Sequence, residues 1–178
     1  MKKLLIVVDY QKDFVDGSLG FPSAVALEEK IVDKIKAYRK NNDEIVFTFD
    51  THEKEYLDSQ EGQHLPVPHC IRETNGWELY GHVADLKEES DQFFVKPTFG
   101  SGELFDYLRE REEVYQSIEL VGLLSNICVI SNAILAKTAL PEVPIIVDAA
   151  CTASHDEILN DQALAVMASL QIQIINNC

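Results

Sequence analysis

Apolar runs rich in β-branched residues alternate along this chain with segments of helical periodicity, and this alternation restricts the fold more than any other feature. Most of the runs are apolar almost throughout, which is typical of strands buried on both faces of a parallel sheet. The candidate strands are 4–9, 44–50, 93–96, 117–124, 144–149 and 172–176. The helical patterns are at 27–38, 103–112, 126–140 and 155–170. This order predicts an α/β domain of three α-β-α layers with a six-stranded, mostly parallel sheet.

Length and charge limit the partners that the chain can have. With 178 residues it can bury a sizeable core, and we expect one domain over 1–178. The formal net charge of -15 disfavours nucleic acid and anionic membrane surfaces, since both attract clusters of Lys and Arg. Each apolar run is shorter than the roughly 20 residues of a membrane-spanning helix. We therefore expect neither nucleic acid nor a membrane as a partner.

Cysteine usage and the N-terminus indicate the cellular compartment. The four cysteines, Cys70, Cys128, Cys151 and Cys178, are scattered and form no C-x-x-C pair. A chain of this size with an ordinary core does not need disulfides, so we expect reduced, structural thiols outside the candidate site and a cytoplasmic protein. The first apolar run ends in Asp9 without the small-residue pattern of a signal-peptide cleavage site, so it is interpreted as a strand.

One polar segment, 51–75, interrupts the alternation. It contains three histidines and two prolines. Loops longer than about 12–15 residues without secondary structure are uncommon in compact domains and tend to be functional. The segment is therefore predicted to be a functional loop that something holds in place.

Four chemically versatile residues fall where predicted strands end. Asp9, Asp50 and Lys96 end the first three strands, and Cys128 lies just beyond the fourth. Each has an ordinary interpretation, as a turn or cap aspartate, a solvated lysine or a packed cysteine. Ligands of open α/β sheets bind at the carboxyl ends of the strands. Four such residues at one sheet edge therefore favour a functional site.

Asp9, Lys96 and Cys128 together suit nucleophilic catalysis. A cysteine attacks a carbonyl as its thiolate, and a free thiol is mostly protonated at neutral pH. A helix start and a nearby lysine are expected to lower the pKa of the thiol. An aspartate can take the thiol proton and return it to a leaving amine, while backbone N–H groups hold the oxyanion.

The polar loop contains candidate metal ligands. Asp50 and His52 are two residues apart in "FDTH", and His69 follows in "PVPHC", with Glu61 and His64 between them. A carboxylate with imidazoles is a ligand set for zinc, iron or manganese, and three protein ligands leave positions open for catalysis. The D-x-H spacing alone is a weak signal, and the second imidazole in an otherwise unsupported loop strengthens it.

Three motifs, in order, resemble those of the isochorismatase-like cysteine hydrolase superfamily. They are "VVDYQKDFVDGSLGFP", "FVKPTFGSGEL" and "GLLSNICVISNAI", which carry Asp9, Lys96 and Cys128 respectively. The resemblance implies a Rossmann-like fold, a cis peptide between Leu123 and Leu124, and these three residues as the catalytic set. Homo-oligomers are common in this superfamily, and we expect one here.

Within the superfamily the chain resembles the nicotinamidase branch, which has D-x-H followed by a later histidine in "PxHC". The resemblance implies one divalent metal ion held by Asp50, His52 and His69. It adds Glu61 as a further ligand, with Ser59 and His64 as alternatives. Overlapping ligand preferences do not choose among zinc, iron and manganese, and we expect zinc.

The resemblance also implies a reaction. Cys128 would attack the carboxamide of nicotinamide, with the N–H groups of Leu124 and Cys128 holding the oxyanion. A thioester would then be hydrolysed to nicotinate, as in NAD salvage. The metal would bind the pyridine nitrogen, and the predicted substrate contacts are Phe14, Leu19 and Phe99.

Other functions stay open at this point. The first is a cysteine hydrolase of the same fold that acts on a different small amide or carbamoyl compound, although such relatives generally lack the metal set. Cys128 disfavours an isochorismatase proper, and the intact catalytic set disfavours a non-catalytic scaffold. Low-pKa thiols oxidise readily, so redox sensing is another alternative. Ser125 and Asn126 depart from the usual Thr-Asp before the nucleophile.

Overall fold

The computed structural model describes residues 1–111 and 113–177, so the interpretation of Cys178 lies outside the described residues. Six strands form one sheet in the order β3-β2-β1-β4-β5-β6. Every strand pairing among the described residues is parallel, which confirms the predicted α/β class. The strands are β1 (Lys2–Val8), β2 (Glu44–Asp50), β3 (Gln92–Lys96), β4 (Tyr115–Leu123), β5 (Ile145–Ala153) and β6 (Gln173–Ile175).

Helices cover both faces of this sheet. They are α1 (Lys12–Val15), α2 (Pro22–Val25), α3 (Glu28–Lys40), α4 (Gln60–His64), α5 (Gly81–Asp85), α6 (Gly102–Arg109), α7 (Ile130–Ala139) and α8 (Glu157–Ser169). Successive side chains of a strand point to opposite faces. Leu5 and Val7 of β1 accordingly join a core with α3, and Leu4, Ile6 and Val8 join a second core with α6, α7 and α8. The three predicted layers follow from these two cores.

Some boundaries differ from the sequence prediction. β4 begins at Tyr115, before its apolar run, and β5 continues to Ala153, beyond its apolar run. The predicted helix at 126–140 begins as a π-helical turn, Ser125–Val129, which continues into α7. The polar loop contains α4, whose first turn is capped where Ser59 Oγ accepts a hydrogen bond from Gly62 N–H.

The strand order reverses direction between β1 and β4. From β1 the chain leads to β2 on one side of the sheet, whereas β4 pairs with β1 on the other side. Such a switch point leaves a crevice at the carboxyl ends of the two strands. Asp9 follows β1 and Cys128 follows β4, so the crevice lies between them.

Among the described residues, no helix is long and apolar enough to cross a membrane.

Candidate active site

Lys96 lies at the centre of the polar residues that end the strands. Its Nζ is 2.6 Å from Asp9 Oδ2, 3.5 Å from Cys128 Sγ and 3.3 Å from Asp50 Oδ1. It also donates a hydrogen bond of 3.1 Å to the Thr98 carbonyl. Asp9, Lys96 and Cys128 are 0%, 1% and 3% exposed. The structure thus brings the three predicted catalytic side chains into one buried cluster.

Strand geometry positions Asp9. The chain turns out of β1 at this residue, whose φ of 45° lies in the left-handed region. Thr48 of the neighbouring strand donates a hydrogen bond of 2.6 Å from Oγ1 to Asp9 Oδ1. Asp9 N–H donates in turn to the Thr48 carbonyl at 3.2 Å. These contacts fix the carboxylate beside Lys96 while leaving Oδ2 to the ammonium.

Burial governs the electrostatics of this cluster. It raises the pKa of Asp9, and the ammonium of Lys96 opposes that rise. Burial disfavours the charge of Lys96, but the surrounding acidic groups, Asp9 first, raise its pKa well above the usual range. Burial also raises the pKa of Cys128, which Lys96 only partly offsets. The predicted lowering of the thiol pKa is therefore wrong for this resting site, because desolvation outweighs the lysine, and Asp9 and Asp50 raise the pKa further.

Cys128 is held by the turn that joins β4 to α7. The turn follows a cis peptide between Leu123 and Leu124, as the resemblance implies. Gly122 has a φ of 109°, and a Cβ at this position would lie 2.1 Å from the Val8 carbonyl oxygen. Only glycine therefore lets β1 and β4 approach so closely here. Asn132 Nδ2 donates to the Cys128 carbonyl at 2.8 Å and holds the turn from the α7 side.

Four polar side chains converge beside Lys96 to form the candidate metal centre. Candidate ligand atoms of Asp50, His52 and His69 all lie within 4.8 Å of one another, and the three residues are buried. Nε2 of His52 is 3.1 Å from Asp50 Oδ2, and Nε2 of His69 is 3.4 Å from the same oxygen. Glu61 Oε1 lies 3.7 Å from both Nε2 atoms.

These four residues fit a divalent metal ion. His69 Nδ1 lies 2.8 Å from the Val67 carbonyl, and a proton held there leaves the Nε2 lone pair facing the carboxylates. Burial alone would raise the pKa of Asp50, but the two imidazoles and Lys96 hold it below its usual range, so it is an anionic donor. Two imidazoles and two carboxylates are a donor set for zinc, iron or manganese.

Of the three proposed additional ligands, Glu61 alone faces the cluster. Ser59 Oγ donates to the Tyr56 carbonyl at 2.6 Å and caps α4. The Ser59 hydroxyl therefore acts as donor and as acceptor within the loop and does not face the cluster. His64 is exposed, and its Nδ1 lies 2.8 Å from the Gln60 carbonyl.

A cavity of about 200 Å³ connects the cysteine with the candidate metal centre. Its wall is mostly apolar, and Cys128, Asp50, Glu61 and His69 bring the candidate nucleophile and candidate metal ligands to it. The other lining residues are Phe14, Leu19, Leu65, Phe99, Leu124, Ile127 and His155. All three predicted substrate contacts line this cavity. The Phe14 ring lies 5.4 Å from the His69 ring between centroids.

Comparison with known proteins agrees with this geometry. Residues 3–177 match the family model described as the isochorismatase domain. The chain belongs to the isochorismatase family. A Bacillus subtilis (strain 168) member, the uncharacterized isochorismatase family protein PncA, is 34% identical over 146 residues, which are 75% of this chain and 78% of that protein.

Solved structures of the family superimpose over nearly the whole chain. Nicotinamidase PncA from Bacillus subtilis is 29% identical with a TM-score of 0.84, over 98% of this chain and 99% of that one. Pyrazinamidase of Pyrococcus horikoshii in complex with zinc is 25% identical with a TM-score of 0.84, over the same shares of 98% and 99%. The prediction of an isochorismatase-like amidohydrolase is therefore confirmed.

Part of the cavity wall in this isochorismatase-family chain lies outside the predicted site residues. Leu65 lies within the polar segment 51–75 and Ile127 directly precedes Cys128, so their positions in the sequence were available signals. His155 is a further lining residue that is not among the predicted site residues. It is exposed, but its ring packs 4.1 Å from that of Phe21 and lines the cavity. Only the fold brings the segment after β5 to this place.

Proposed function

We propose that this protein is a nicotinamidase, which hydrolyses nicotinamide to nicotinate and ammonia through a thioester on Cys128. The observation that carries the proposal is the shared cavity. One small apolar space is lined by the candidate nucleophile and by three residues of a metal-binding set, Asp50, Glu61 and His69. A planar aromatic amide that needs a nucleophile at its carbonyl and a ligand for its ring nitrogen suits such a site.

The first chemical step uses Asp9 as the base. Because burial keeps the thiol of Cys128 protonated, the proton passes from Sγ to the Asp9 carboxylate as sulfur attacks the carboxamide carbon. A C–S bond forms, and the electron pair of the carbonyl moves to its oxygen. The N–H groups of Leu124 and Cys128 are assigned to this oxyanion. Lys96 stays charged and stabilises the negative charge of the cluster.

Release of ammonia and hydrolysis complete the reaction. The carbonyl reforms, the C–N bond breaks, and Asp9 gives its proton to the nitrogen, which leaves as ammonia. Asp9 then takes a proton from a water molecule that attacks the thioester carbon. The C–S bond breaks, and Asp9 returns the proton to sulfur. The nicotinic acid product loses its own proton to solvent.

Asp50, His52, His69 and Glu61 are assigned as the residues that hold the metal ion. When bound, it would supply a Lewis-acidic site for the pyridine nitrogen. Phe14 lies against His69 and would contact the flat ring, while Leu19 and Phe99 would exclude water around it. The zinc in the related pyrazinamidase structure supports zinc as the metal here.

Ammonia release from nicotinamide tests the proposal. The purified protein is assayed as isolated, after chelation and after zinc is restored, with the Cys128→Ala variant as a blank. We expect turnover that falls on chelation, returns with zinc and is absent from the variant. If zinc-replete protein does not hydrolyse nicotinamide while Cys128 still reacts with a thiol reagent, the substrate is a different small amide and the alternative hydrolase function replaces this one.

A further inference from the structure

We infer that Gln11 and Asp13 are positioning residues of the metal centre, which hold the backbone beneath its ligands. This inference rests on the proposed metal centre. Neither side chain contacts the four candidate ligand groups. Both belong to the segment between Asp9 and the cavity residue Phe14, so one short stretch of chain connects the catalytic base, the substrate wall and the metal loop.

Gln11 replaces a missing strand residue beside Asp50. Pairing of β1 with β2 ends at Val8 and Thr48, because the chain turns away at Asp9. The side-chain amide of Gln11 then accepts a hydrogen bond from Asp50 N–H at 2.8 Å and donates one to the Asp50 carbonyl at 2.9 Å. Both backbone groups of Asp50 that face β1 are thereby satisfied by one fully buried amide.

The same amide also reaches the chain beyond the metal loop. Gln11 Nε2 donates a second hydrogen bond of 2.8 Å to the carbonyl of Trp77. Trp77 Nε1 in turn donates to Thr51 Oγ1 at 2.7 Å, next to Asp50. The side chains of Gln11 and Trp77 therefore hold the end of β2 on the side that faces β1, in place of backbone groups of a paired strand.

Asp13 performs the corresponding task for the two histidines. Its Oδ2 accepts a hydrogen bond of 2.8 Å from Cys70 N–H, directly after His69. Cys70 has a φ of 47°, in the left-handed region that costs a non-glycine residue energy, so this contact supports a strained position. The Cys70 carbonyl accepts a hydrogen bond of 3.0 Å from His52 N–H. Asp13 thus orients the backbone at His69 directly and that at His52 through Cys70.

Close packing fixes the Asp13 carboxylate in place. A Cβ built on Gly76 would lie 2.1 Å from Asp13 Oδ2, and one built on Gly17 would lie 2.6 Å from Oδ1. Ser18 N–H also donates to Oδ1 at 3.3 Å. The carboxylate is thus enclosed between two glycines and bound to two N–H groups, which leaves it one orientation.

Zinc affinity measured on metal-free protein tests this inference. Zinc is titrated against a competing chelator, and cobalt is substituted to record the absorption spectrum of the ligand field. We expect Gln11→Ala and Asp13→Ala to weaken zinc binding about 10–100-fold, the usual cost of losing outer-shell support. Asp13→Asn keeps the shape and an acceptor oxygen, so it recovers part of the loss. Lys12→Ala is the matched control, because Lys12 lies between the two and its ammonium, among the described residues, donates hydrogen bonds to Asn75 and Glu78 rather than to the backbone of a candidate ligand.

Three results are distinguishable. If wild-type protein binds no zinc, the proposed metal centre is wrong. If wild type binds and the Ala variants show the same affinity and cobalt spectrum, the inference is overturned and the proposed function stands. If the Ala variants do not fold, Gln11→Glu decides. Gln11→Glu keeps the volume but turns an oxygen towards the Asp50 and Trp77 carbonyls, and wild-type affinity in that variant overturns the inference.

Discussion

Lys96 and Asp9 form an ion pair of 2.6 Å in a place that water does not reach. Charges in a protein interior are costly unless they are paired and hydrogen-bonded, so the charge of each side chain is stabilised by the charge of the other. Cys128 lies beside the pair as a neutral thiol because burial raises its pKa. The nucleophile therefore stays protonated in the resting site, and its proton has to be removed when an amide enters.

The Cys128→Ala variant is expected to lose activity and keep its fold. Removing the nucleophile of a catalytic set costs on the order of 10⁴-fold or more in kcat. Replacing one small buried side chain by another leaves the core nearly unchanged. Ammonia release and thermal unfolding measure the two effects. Cys151→Ala is the control, because Cys151 is buried outside the cavity; activity retained by Cys128→Ala and lost by Cys151→Ala would reverse the assignment.

The Lys96→Met variant is expected to lose stability as well as activity. It leaves the Asp9 carboxylate buried without its partner, which costs about 3–5 kcal/mol. Adding Asp9→Asn removes that charge, so the double variant should be more stable than the sum of the single changes predicts. Urea unfolding of metal-free protein measures the cycle. Strictly additive free energies of unfolding would show that the pair contributes nothing.

The sheet edge explains why much of the site could be predicted. Asp50 and Lys96 end strands that a parallel sheet brings to the same edge, while Asp9 directly follows a third strand and Cys128 comes after a fourth. Neighbouring strand ends lie roughly 5 Å apart, so the order of the strands alone places such residues within reach of one another. The apolar runs, read with the motifs, were sufficient for this part of the architecture.

Tertiary contacts explain what could not be predicted. The pKa of Cys128 is raised by burial under parts of the chain that no local pattern reveals. Gln11 and Asp13 bind backbone groups 39 and 57 residues away, so their spacing in the sequence carries no signal of their role. The single domain, the homo-oligomer and the cytoplasmic location stay predictions.

The Glu61→Gln variant separates the candidates for the fourth ligand. Glu61 is the one that faces both imidazoles, so losing its charge should weaken zinc binding at least about tenfold, the lower end of the cost of outer-shell changes. His64→Ala is the matched control from the same helix and should bind as tightly as wild type. Chelator competition measures both. The opposite order of affinities would transfer the ligand role to His64.

Metal removal should affect substrates according to their ring nitrogen. If the metal binds the pyridine nitrogen, chelation should lower kcat/KM for nicotinamide and leave the slower hydrolysis of benzamide, which lacks that nitrogen, nearly unchanged. Zinc at 100 times its Kd should also stabilise the fold by about 2.7 kcal/mol through mass action. Parallel assays and thermal unfolding measure these effects. An equal loss for both amides would indicate that the metal supports the site without binding the ring.

Asp148, which lies far from the active site, is expected to make the stability of the fold depend on pH. It is 1% exposed, and its Oδ2 lies 2.7 Å from Lys34 Nζ. Burial alone would raise the pKa of Asp148, but Lys34, Asn176 and the Ala150 N–H together hold it below its usual range. A carboxyl whose pKa is lowered on folding contributes stability above its unfolded pKa of about 3.9 and loses it as pH falls through the folded value.

Asp148→Asn should therefore lower the free energy of unfolding by about 1–3 kcal/mol at pH 7, because it removes one of the two carboxylates that bind Lys34 Nζ and the charged acceptor of Asn176 Nδ2. The difference from wild type should begin to shrink as pH falls below about 4, where Asp148 of the unfolded chain takes up a proton, and should vanish once pH falls below the lower folded pKa. Urea unfolding at several pH values measures this, with the exposed Asp161→Asn of α8 as the control. A difference that stays constant through the acid range would mean that Asp148 stabilises the fold by its shape rather than by its charge.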